Sequence, residues 1–287
     1  MSDEEDELVI EWQSGFVDAD GLRLHYTRTG GGKPPLLLAH GVTDDGLCWS
    51  RVTAQLARDY DVIMVDARGH GRSDAPEGGY DPGRQAEDLA AVIATLDLQK
   101  PAILGHSMGA ATALVLAGTH PNIPGAILLE DPPSWWTPWF DSADGEARRA
   151  EMRTRFLGLK EKSRETLLAD QRAEQPDWDE SELEPWADAK QRFSPNVLEV
   201  IAQDNPRHVD WPAILPRITC PALLIVSDPD LGGIVDDQSA AALKALVPQL
   251  EIAHVAGAGH NIRRDRFERY MDVVRGFLGG IQSDREP

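Results

Sequence analysis

Residues 101–120 read PAILGHSMGAATALVLAGTH, and the interpretation of the whole chain starts from this stretch. A short apolar run leads into the pentapeptide GHSMG at 105–109, and residues suited to a packed helix follow it. A G-x-S-x-G sequence between a strand and a helix holds its serine on a sharp, strained turn that exposes the hydroxyl at the end of a sheet. Its glycines let the strand and the helix approach closely. Ser107 is therefore the candidate nucleophile, and the alternative is a serine in an ordinary loop.

The composition is that of an ordinary globular protein. Of the 287 residues, 41% are apolar and 26% are charged, which is typical of soluble domains that bury a substantial core. No apolar run is long enough to cross a bilayer, and the N-terminus is acidic where a signal peptide would be basic and then apolar. We therefore expect a cytoplasmic protein that does not bind membranes.

Charge and cysteine content exclude several kinds of partner. The chain has 28 Lys and Arg against 48 Asp and Glu, a formal net charge of −20 at pH 7. Such a surface repels polyanions, so nucleic acid is not expected as a partner. Cys48 and Cys220 are far apart in sequence, and the histidines do not cluster at ligand spacing. We therefore predict neither a disulfide framework nor a metal site.

Short apolar runs alternate with helical segments along most of the chain. The predicted strands are 8–17, 22–27, 35–39, 61–65, the run ending at 107, 124–129, 221–227 and 250–255. The first two are joined by a predicted tight turn. The alternation after them predicts an α/β fold with a mostly parallel sheet and helices on both faces. Ligands bind such sheets beyond the carboxyl ends of the strands, and we expect the site there.

The composition changes between Ser134 and about Pro212. Buried strand-like runs vanish, charged helical segments appear, and six of the eight tryptophans lie there. We interpret this stretch as a helical cap inserted over the active edge of the sheet. The predicted division is an acidic tail at 1–7, a core domain at 8–131 and 213–280, the cap at 132–212 and a tail at 281–287.

Three cap tryptophans are candidate pocket residues. Trp135, Trp136 and Trp139 directly follow a loop at the active edge, and His40 is a fourth candidate in the loop after the strand 35–39. The alternative is that the tryptophans fill the cap's own small core.

A serine nucleophile needs a base to take its proton and a third group to orient that base. In the nucleophile-elbow arrangement the order along the chain is serine, acid, histidine. His260 lies in a Gly-rich loop after the last predicted strand and is the predicted base. His106 within the turn and His254 within a strand are less well placed, and a solvated loop histidine is the alternative for His260.

Acyl transfer also needs two N–H donors for the oxyanion that forms in the tetrahedral intermediate. We assign one to Met108, the residue after the nucleophile. The second is assigned to Val42, which follows His40 and Gly41 at the end of a buried strand.

These motifs resemble those of the α/β-hydrolase family. The matching segments, in order, are HG at 40–41, DARGHGRS at 66–73, GHSMG at 105–109 and GH at 259–260. The resemblance covers about 22–278 and is weakest across the cap. It implies the α/β-hydrolase fold and, within it, the cofactor-free esterase, lactonase and perhydrolase branch. Dehalogenases and epoxide hydrolases of the family carry an aspartate where this chain has Ser107.

The triad acid departs from the family pattern. The resemblance implies a Gly-x-x-Asp followed closely by Ile-Val after the strand 221–227, but residues 227–235 read SDPDLGGIV. Counting from the strand end selects Asp230, whereas counting back from Ile-Val selects Gly232, which has no carboxylate. Some family members place the acid after the preceding strand. Asp230 is therefore the predicted acid and Glu130 the alternative, with Asp228 and Asp131 also open.

Taken together, the residues predict a serine hydrolase that cleaves a carboxylic ester or lactone through an acyl-enzyme, without metal or organic cofactor. The aromatic cap favours a small substrate with an apolar or aromatic part. Perhydrolysis or carbon–carbon bond hydrolysis would use the same triad. A small-molecule-binding protein on the same fold is the alternative of another class.

Overall fold

One eight-stranded sheet organises the computed structural model, which describes residues 12–137, 143–202 and 209–283. Its strands are β1 (Gln13–Ala19), β2 (Leu22–Arg28), β3 (Pro35–Ala39), β4 (Asp61–Val65), β5 (Ala102–His106), β6 (Ala126–Glu130), β7 (Ala222–Val226) and β8 (Leu250–His254). Their spatial order is β1-β2-β4-β3-β5-β6-β7-β8. The pairs β1–β2 and β2–β4 are antiparallel, and all other neighbours are parallel. The predicted mostly parallel sheet is confirmed, although residues 8–11 of the first predicted strand lie outside the described ranges.

Helices follow most strands, as the alternating pattern predicts. They are α1 (Ser50–Leu56), α2 (Pro82–Thr95), α3 (Met108–Thr119), α4 (Ala143–Lys160), α5 (Arg164–Glu174), α6 (Glu180–Arg192), α7 (Trp211–Ile214), α8 (Asp237–Leu246), α9 (Ile262–Asp265) and α10 (Phe267–Ser283). Local chemistry sets their ends. The Asp81 side chain accepts from the N–H of Arg84, and Pro82 opens α2, so this helix has both a side-chain cap and a preset first turn.

The core lies in two layers, one on each face of the sheet. Successive side chains of a strand point to opposite faces, so Leu37 packs on one side while Leu36 and Leu38 pack on the other. Helices α2, α3 and α8 cover the first face. Helices α1 and α10 cover the second. Both faces of the central strands are therefore buried away from water, which explains why the sequences of β3 to β6 are almost continuously apolar.

Helices α4, α5 and α6 follow β6 and precede β7, where the sequence predicts an inserted helical segment. They enclose a small core of their own, formed by Leu167, Leu168, Trp178, Leu183, Trp186 and Ala187. Two ion pairs join α6 to the loop after β3: Lys190 Nζ lies 2.6 Å from Asp44 Oδ1, and Arg192 Nη2 lies 2.6 Å from Asp45 Oδ2. The helical segment is thus tied directly to the loops at the carboxyl ends of the strands.

Within the described residues, none of the helices combines the length and the apolar character needed to cross a bilayer.

Candidate active site

Ser107 occupies the turn between β5 and α3. Its backbone φ is 50°, in the left-handed region that residues with a side chain rarely adopt, and such strain clusters at functional sites. The turn is possible because of two glycines. A β-carbon on Gly105 would lie 2.5 Å from the backbone of Gly109, and one on Gly109 would lie 2.2 Å from the carbonyl oxygen of Ala39. The structure therefore contains the strand–turn–helix that the G-x-S-x-G sequence predicts.

The loop after β3 lies against this turn. A β-carbon on Gly41 would lie 3.3 Å from Ser107 Cβ and 2.6 Å from His106 Nδ1, so a side chain at position 41 would displace the ring of His106 beside the serine. The Gly41 carbonyl accepts hydrogen bonds from His40 Nδ1 at 2.8 Å and from the N–H of Asp44 at 3.1 Å. The carbonyl and N–H of a trans peptide point in opposite directions. Fixing the Gly41 carbonyl therefore turns the N–H of Val42 away from the His40 ring.

The protonation of His40 follows from its two partners. His40 Nε2 accepts from the N–H of Ala67 at 3.0 Å, so the proton is on Nδ1, which donates to the Gly41 carbonyl. His40 is only 1% exposed. Both ring nitrogens of His40 are thus used inside the protein, where the ring supports the loop that carries Val42, and its predicted contact with substrate stays a prediction.

Met108 is the second predicted oxyanion donor. It is the first residue of α3 and is buried. The N–H groups of a helix's first turn have no partner within the helix, so that of Met108 is available at the end of the turn that carries Ser107. The helix dipole also places positive potential at this end.

His260 has a carboxylate partner, and it is Asp131. His260 Nδ1 lies 2.7 Å from Asp131 Oδ2, with the His260 side chain 30% exposed and the Asp131 side chain fully buried. The carboxylate also accepts from the backbone N–H groups of Ile234, at 3.0 Å, and of Val235, at 3.0 Å. The loop after β7 thus supplies two donors that hold the carboxylate.

This pairing corrects the prediction of Asp230 as the residue that orients His260. Asp230 lies exposed in a short 3₁₀ turn, Pro229–Leu231. The loop after β7 presents the backbone N–H groups of Ile234 and Val235 to Asp131 and leaves Asp230 facing solvent.

The two other carboxylates that the sequence left open have different partners. Asp228 lies 2.6 Å from His254 Nε2 and accepts from the N–H of Gly257 at 2.7 Å. Glu130 contacts the guanidinium of Arg263 at 3.1 Å. Neither one is placed on His260.

The strand register contains the signal for Asp131 that counting along one loop missed. His106 is paired with Glu130 across β5 and β6. The next residue of each strand is therefore Ser107 and Asp131, side by side at the carboxyl edge, and the N–H of Ser107 donates to the Glu130 carbonyl at 2.9 Å. A carboxylate one residue beyond β6 is the natural neighbour of a serine one residue beyond β5.

His106 joins the turn of Ser107 to the loop of His260. Its ring centroid is 4.7 Å from that of His260, and its Nε2 lies 3.1 Å from the His260 carbonyl oxygen. Burial, followed by the nearby Arg263, holds the pKa of His106 well below its ordinary value. A neutral, enclosed ring is suited to holding the two loops together and not to taking a proton from Ser107.

The predicted tryptophans divide between several roles. Trp135 is buried in the main core with its ring 6.2 Å from that of Trp211, and Trp136 Nε1 donates to the Ser239 carbonyl at 2.9 Å. Trp139 lies outside the described residues. Trp178 and Trp186 fill the core of the inserted helices, which is the role that the alternative interpretation gave them.

An apolar wall that the sequence analysis did not identify lies next to Val42. Val42 and, from α4, Phe156 and Leu157 are half-buried and pack against one apolar cluster. The same cluster contains Tyr80, Phe193, Val197 and Leu198. The signal in the sequence is the pair Phe-Leu inside an otherwise strongly charged helix, ARRAEMRTRFLGLK at 147–160. The predicted oxyanion donor and α4 thus pack against the same apolar cluster.

The described part of the chain holds no group of three or more His, Cys, Asp or Glu side chains arranged to bind a metal ion.

Comparisons with known proteins identify relatives with the same architecture. Residues 34–263 match the family model described as alpha/beta hydrolase fold. N-formylmaleamate deformylase of Pseudomonas putida is 30% identical, over 92% of this chain and 96% of its own length. The crystal structure of E-2-(acetamidomethylene)succinate hydrolase superposes with a TM-score of 0.79 at 22% identity, covering 94% of this chain and 100% of that one. The crystal structure of an N-formylmaleamic acid deformylase from Pseudomonas putida gives a TM-score of 0.74 at 26% identity, covering 91% and 100%.

Proposed function

The chain belongs to the α/β-hydrolase family, and from this premise we propose that it is a serine hydrolase that cleaves a carboxylic ester or lactone through an acyl-enzyme on Ser107. One observation carries the proposal. The strained turn of Ser107 lies beside the backbone of Gly41, and the strand register places Ser107 next to Asp131, which is hydrogen-bonded to His260. Nucleophile, base, orienting acid and oxyanion donors are the set that acyl transfer requires.

In the proposed first step, His260 Nε2 takes the proton of the Ser107 hydroxyl as its oxygen forms a bond to the substrate's carbonyl carbon. The electron pair of the carbonyl moves to the oxygen, and the N–H groups of Val42 and Met108 stabilise that oxyanion. Asp131 holds the proton on His260 Nδ1, which leaves Nε2 free to accept, and stabilises the imidazolium that forms. No reorganisation is needed, because the carboxylate is already held by backbone donors.

The intermediate then collapses. The bond from the carbonyl carbon to the leaving oxygen breaks, and His260 returns its proton to that oxygen. Water, activated by the same imidazole, attacks the acyl-enzyme and releases the acid and free Ser107.

The apolar wall beside Val42 supports a substrate with an apolar or aromatic part. Phe156 and Leu157 of the inserted helix α4 pack against the same apolar cluster as Val42, the proposed oxyanion donor. A substituent on the carbonyl carbon would lie next to these side chains once its oxygen occupies the oxyanion site. Burying each additional methylene there is worth about 0.8 kcal/mol.

A second candidate reaction is hydrolysis of an amide of a small carboxylic acid. The similarity to a deformylase over nearly the whole of both chains favours it. The same residues would act, except that His260 would protonate a leaving nitrogen in place of an oxygen.

The first experiment is covalent labelling by a fluorophosphonate, together with hydrolysis of a series of p-nitrophenyl esters and of N-formyl and N-acetyl amides. Wild type is expected to label once and to turn over at least one class, and Ser107→Ala is expected to do neither. Ser73→Ala is the matched control, because this serine donates to the Asp66 carbonyl in a neighbouring loop. A wild-type protein that neither labels nor turns over any member of the series would contradict the proposal and favour a binding protein.

A further inference from the structure

Arg263 is a buried cation in the middle of the site, and the reaction above does not use it. It lies three residues after His260 in the short helix α9, and its side chain is fully buried. Its backbone N–H donates to Glu130 Oε1 at 3.0 Å, and its Nη1 donates to Glu130 Oε2 at 3.1 Å. Its Nη2 donates to Asp44 Oδ2 at 3.1 Å. The guanidinium carbon lies 4.3 Å from the centre of the Trp49 ring.

Each of these contacts leads to a different part of the site. Glu130 is the last residue of β6 and directly precedes Asp131, the carboxylate on His260. The N–H of Asp44 donates to the Gly41 carbonyl, which is the group that orients the N–H of Val42. Through one guanidinium, the loops that carry the acid, the base and an oxyanion donor are therefore connected.

Stability alone does not account for such an arrangement. Placing an ion pair in a dry interior costs several kcal/mol per ion in desolvation, and replacing buried pairs by apolar residues is often neutral or stabilising. Burial raises the pKa of Glu130 against the opposing effect of Arg263. Burial would also raise the pKa of Asp44, but Arg264, Lys190 and Arg263 hold it well below its ordinary value. The cluster thus keeps charges in a dry interior, where their desolvation is costly.

We propose that Arg263 is a positioning residue: its fork-shaped contacts with Glu130 and Asp44 hold the acid, the base and the oxyanion loop of the proposed serine hydrolase in register. The inference rests on that proposed function. A guanidinium suits the task because its planar donors fix direction as well as distance. Lysine would keep the charge and lose the fork.

The test compares Arg263→Lys with Arg68→Lys. Arg68 is also buried and also forms a two-pronged contact, from Nε and Nη2 to Asp88, but it joins the loop after β4 to α2. Both substitutions remove a buried fork, so similar losses of thermal stability are expected. For Arg263→Lys we expect kcat, and the rate of fluorophosphonate labelling, to fall about 10- to 100-fold with KM changed less than about threefold. For Arg68→Lys we expect kcat within about threefold of wild type.

A second readout does not depend on turnover. The proton that His260 Nδ1 shares with Asp131 should give a low-field NMR resonance, assigned by its loss in His260→Ala. We expect the resonance to shift or broaden in Arg263→Lys and to stay unchanged in Arg68→Lys. Equal kcat and an unchanged resonance in the two variants would overturn the inference. If wild type fails to label at Ser107, the proposed function fails, while the resonance still decides whether Arg263 positions His260 and Asp131.

Discussion

Replacement of Asp131 by asparagine tests the catalytic arrangement most directly, because the two side chains have the same shape. Asp131 Oδ1 accepts from the N–H groups of Ile234 and Val235, at 3.2 and 3.0 Å, while Oδ2 faces His260 Nδ1 at 2.7 Å and also accepts from Ile234, at 3.0 Å. An asparagine with its carbonyl oxygen at the Oδ1 position keeps one contact with each N–H group and loses the second contact of Ile234. Its NH₂ group then faces His260, so Nδ1 must become the acceptor and the proton moves to Nε2.

That tautomer leaves His260 without the lone pair that would take the proton of Ser107. Loss of the correct tautomer lowers kcat about 10⁴-fold in serine proteases, which corresponds to about 5.5 kcal/mol of transition-state stabilisation. We expect a loss of this order in Asp131→Asn, with KM little changed and a melting temperature within a few degrees of wild type. The assay is steady-state hydrolysis of the best ester or amide from the substrate series, beside a thermal unfolding curve.

Asp230→Asn is the matched control, since Asp230 is exposed and lies in the loop where the sequence predicts the acid. We expect its kcat within about twofold of wild type. The reasoning is refuted if Asp131→Asn keeps more than a tenth of the wild-type kcat, or if Asp230→Asn loses as much activity as Asp131→Asn.

Three further predictions concern Gly41, His70 and Phe156. Gly41→Ala would place a β-carbon 2.6 Å from His106 Nδ1, so we expect kcat to fall at least 100-fold. Gly158→Ala, with open space around the residue in α4, should keep full activity. Equal kcat in the two variants would contradict the role of the Gly41 backbone. Burial lowers the pKa of His70 to about 3, so the unfolded chain takes up a proton below pH ~6.5 that the native state does not, and stability should fall as pH drops from about 6.5 to 3. His70→Gln should reduce that slope by about 1.4 kcal/mol per pH unit in urea titrations, and an unchanged slope would show that His70 does not cause it. Phe156→Ala should weaken the preference for esters with long or aromatic acyl groups. Leu159→Ala, at a half-buried residue that packs against the core of the inserted helices, should lower stability and leave the preference as it is. Identical kcat/KM profiles for wild type and Phe156→Ala would exclude the apolar wall as part of the pocket.

The sheet was predictable because its pattern is local. Strands buried on both faces must be continuously apolar, and β3 to β7 are short runs of this kind separated by turn formers and helical segments. The turn at Ser107 was predictable for the same reason, because the glycines on either side of it are required by backbone contacts within a few residues and to the adjacent strand.

The acid was not predictable from one loop, because its position is a property of two strands in register. Glu130 and Asp131 are adjacent in sequence, but strand geometry sends one to Arg263 and the other to His260. His40 presented the same difficulty. A histidine beside a glycine at the end of a strand suits either a pocket or a backbone contact, and only the partners at its two ring nitrogens distinguish these roles.

The contacts of Arg263 also have an evolutionary consequence. Breaking a buried ion pair on one side leaves an uncompensated charge and costs about 3 to 5 kcal/mol, a large part of a domain's total stability. Asp44 keeps Lys190 and Arg264 as partners when Arg263 is lost, but Glu130 does not have a second ion pair among the described residues. Positions 130 and 263 therefore cannot change one at a time. Across the hydrolases related to this chain, we expect these two to be retained together or exchanged together for apolar residues.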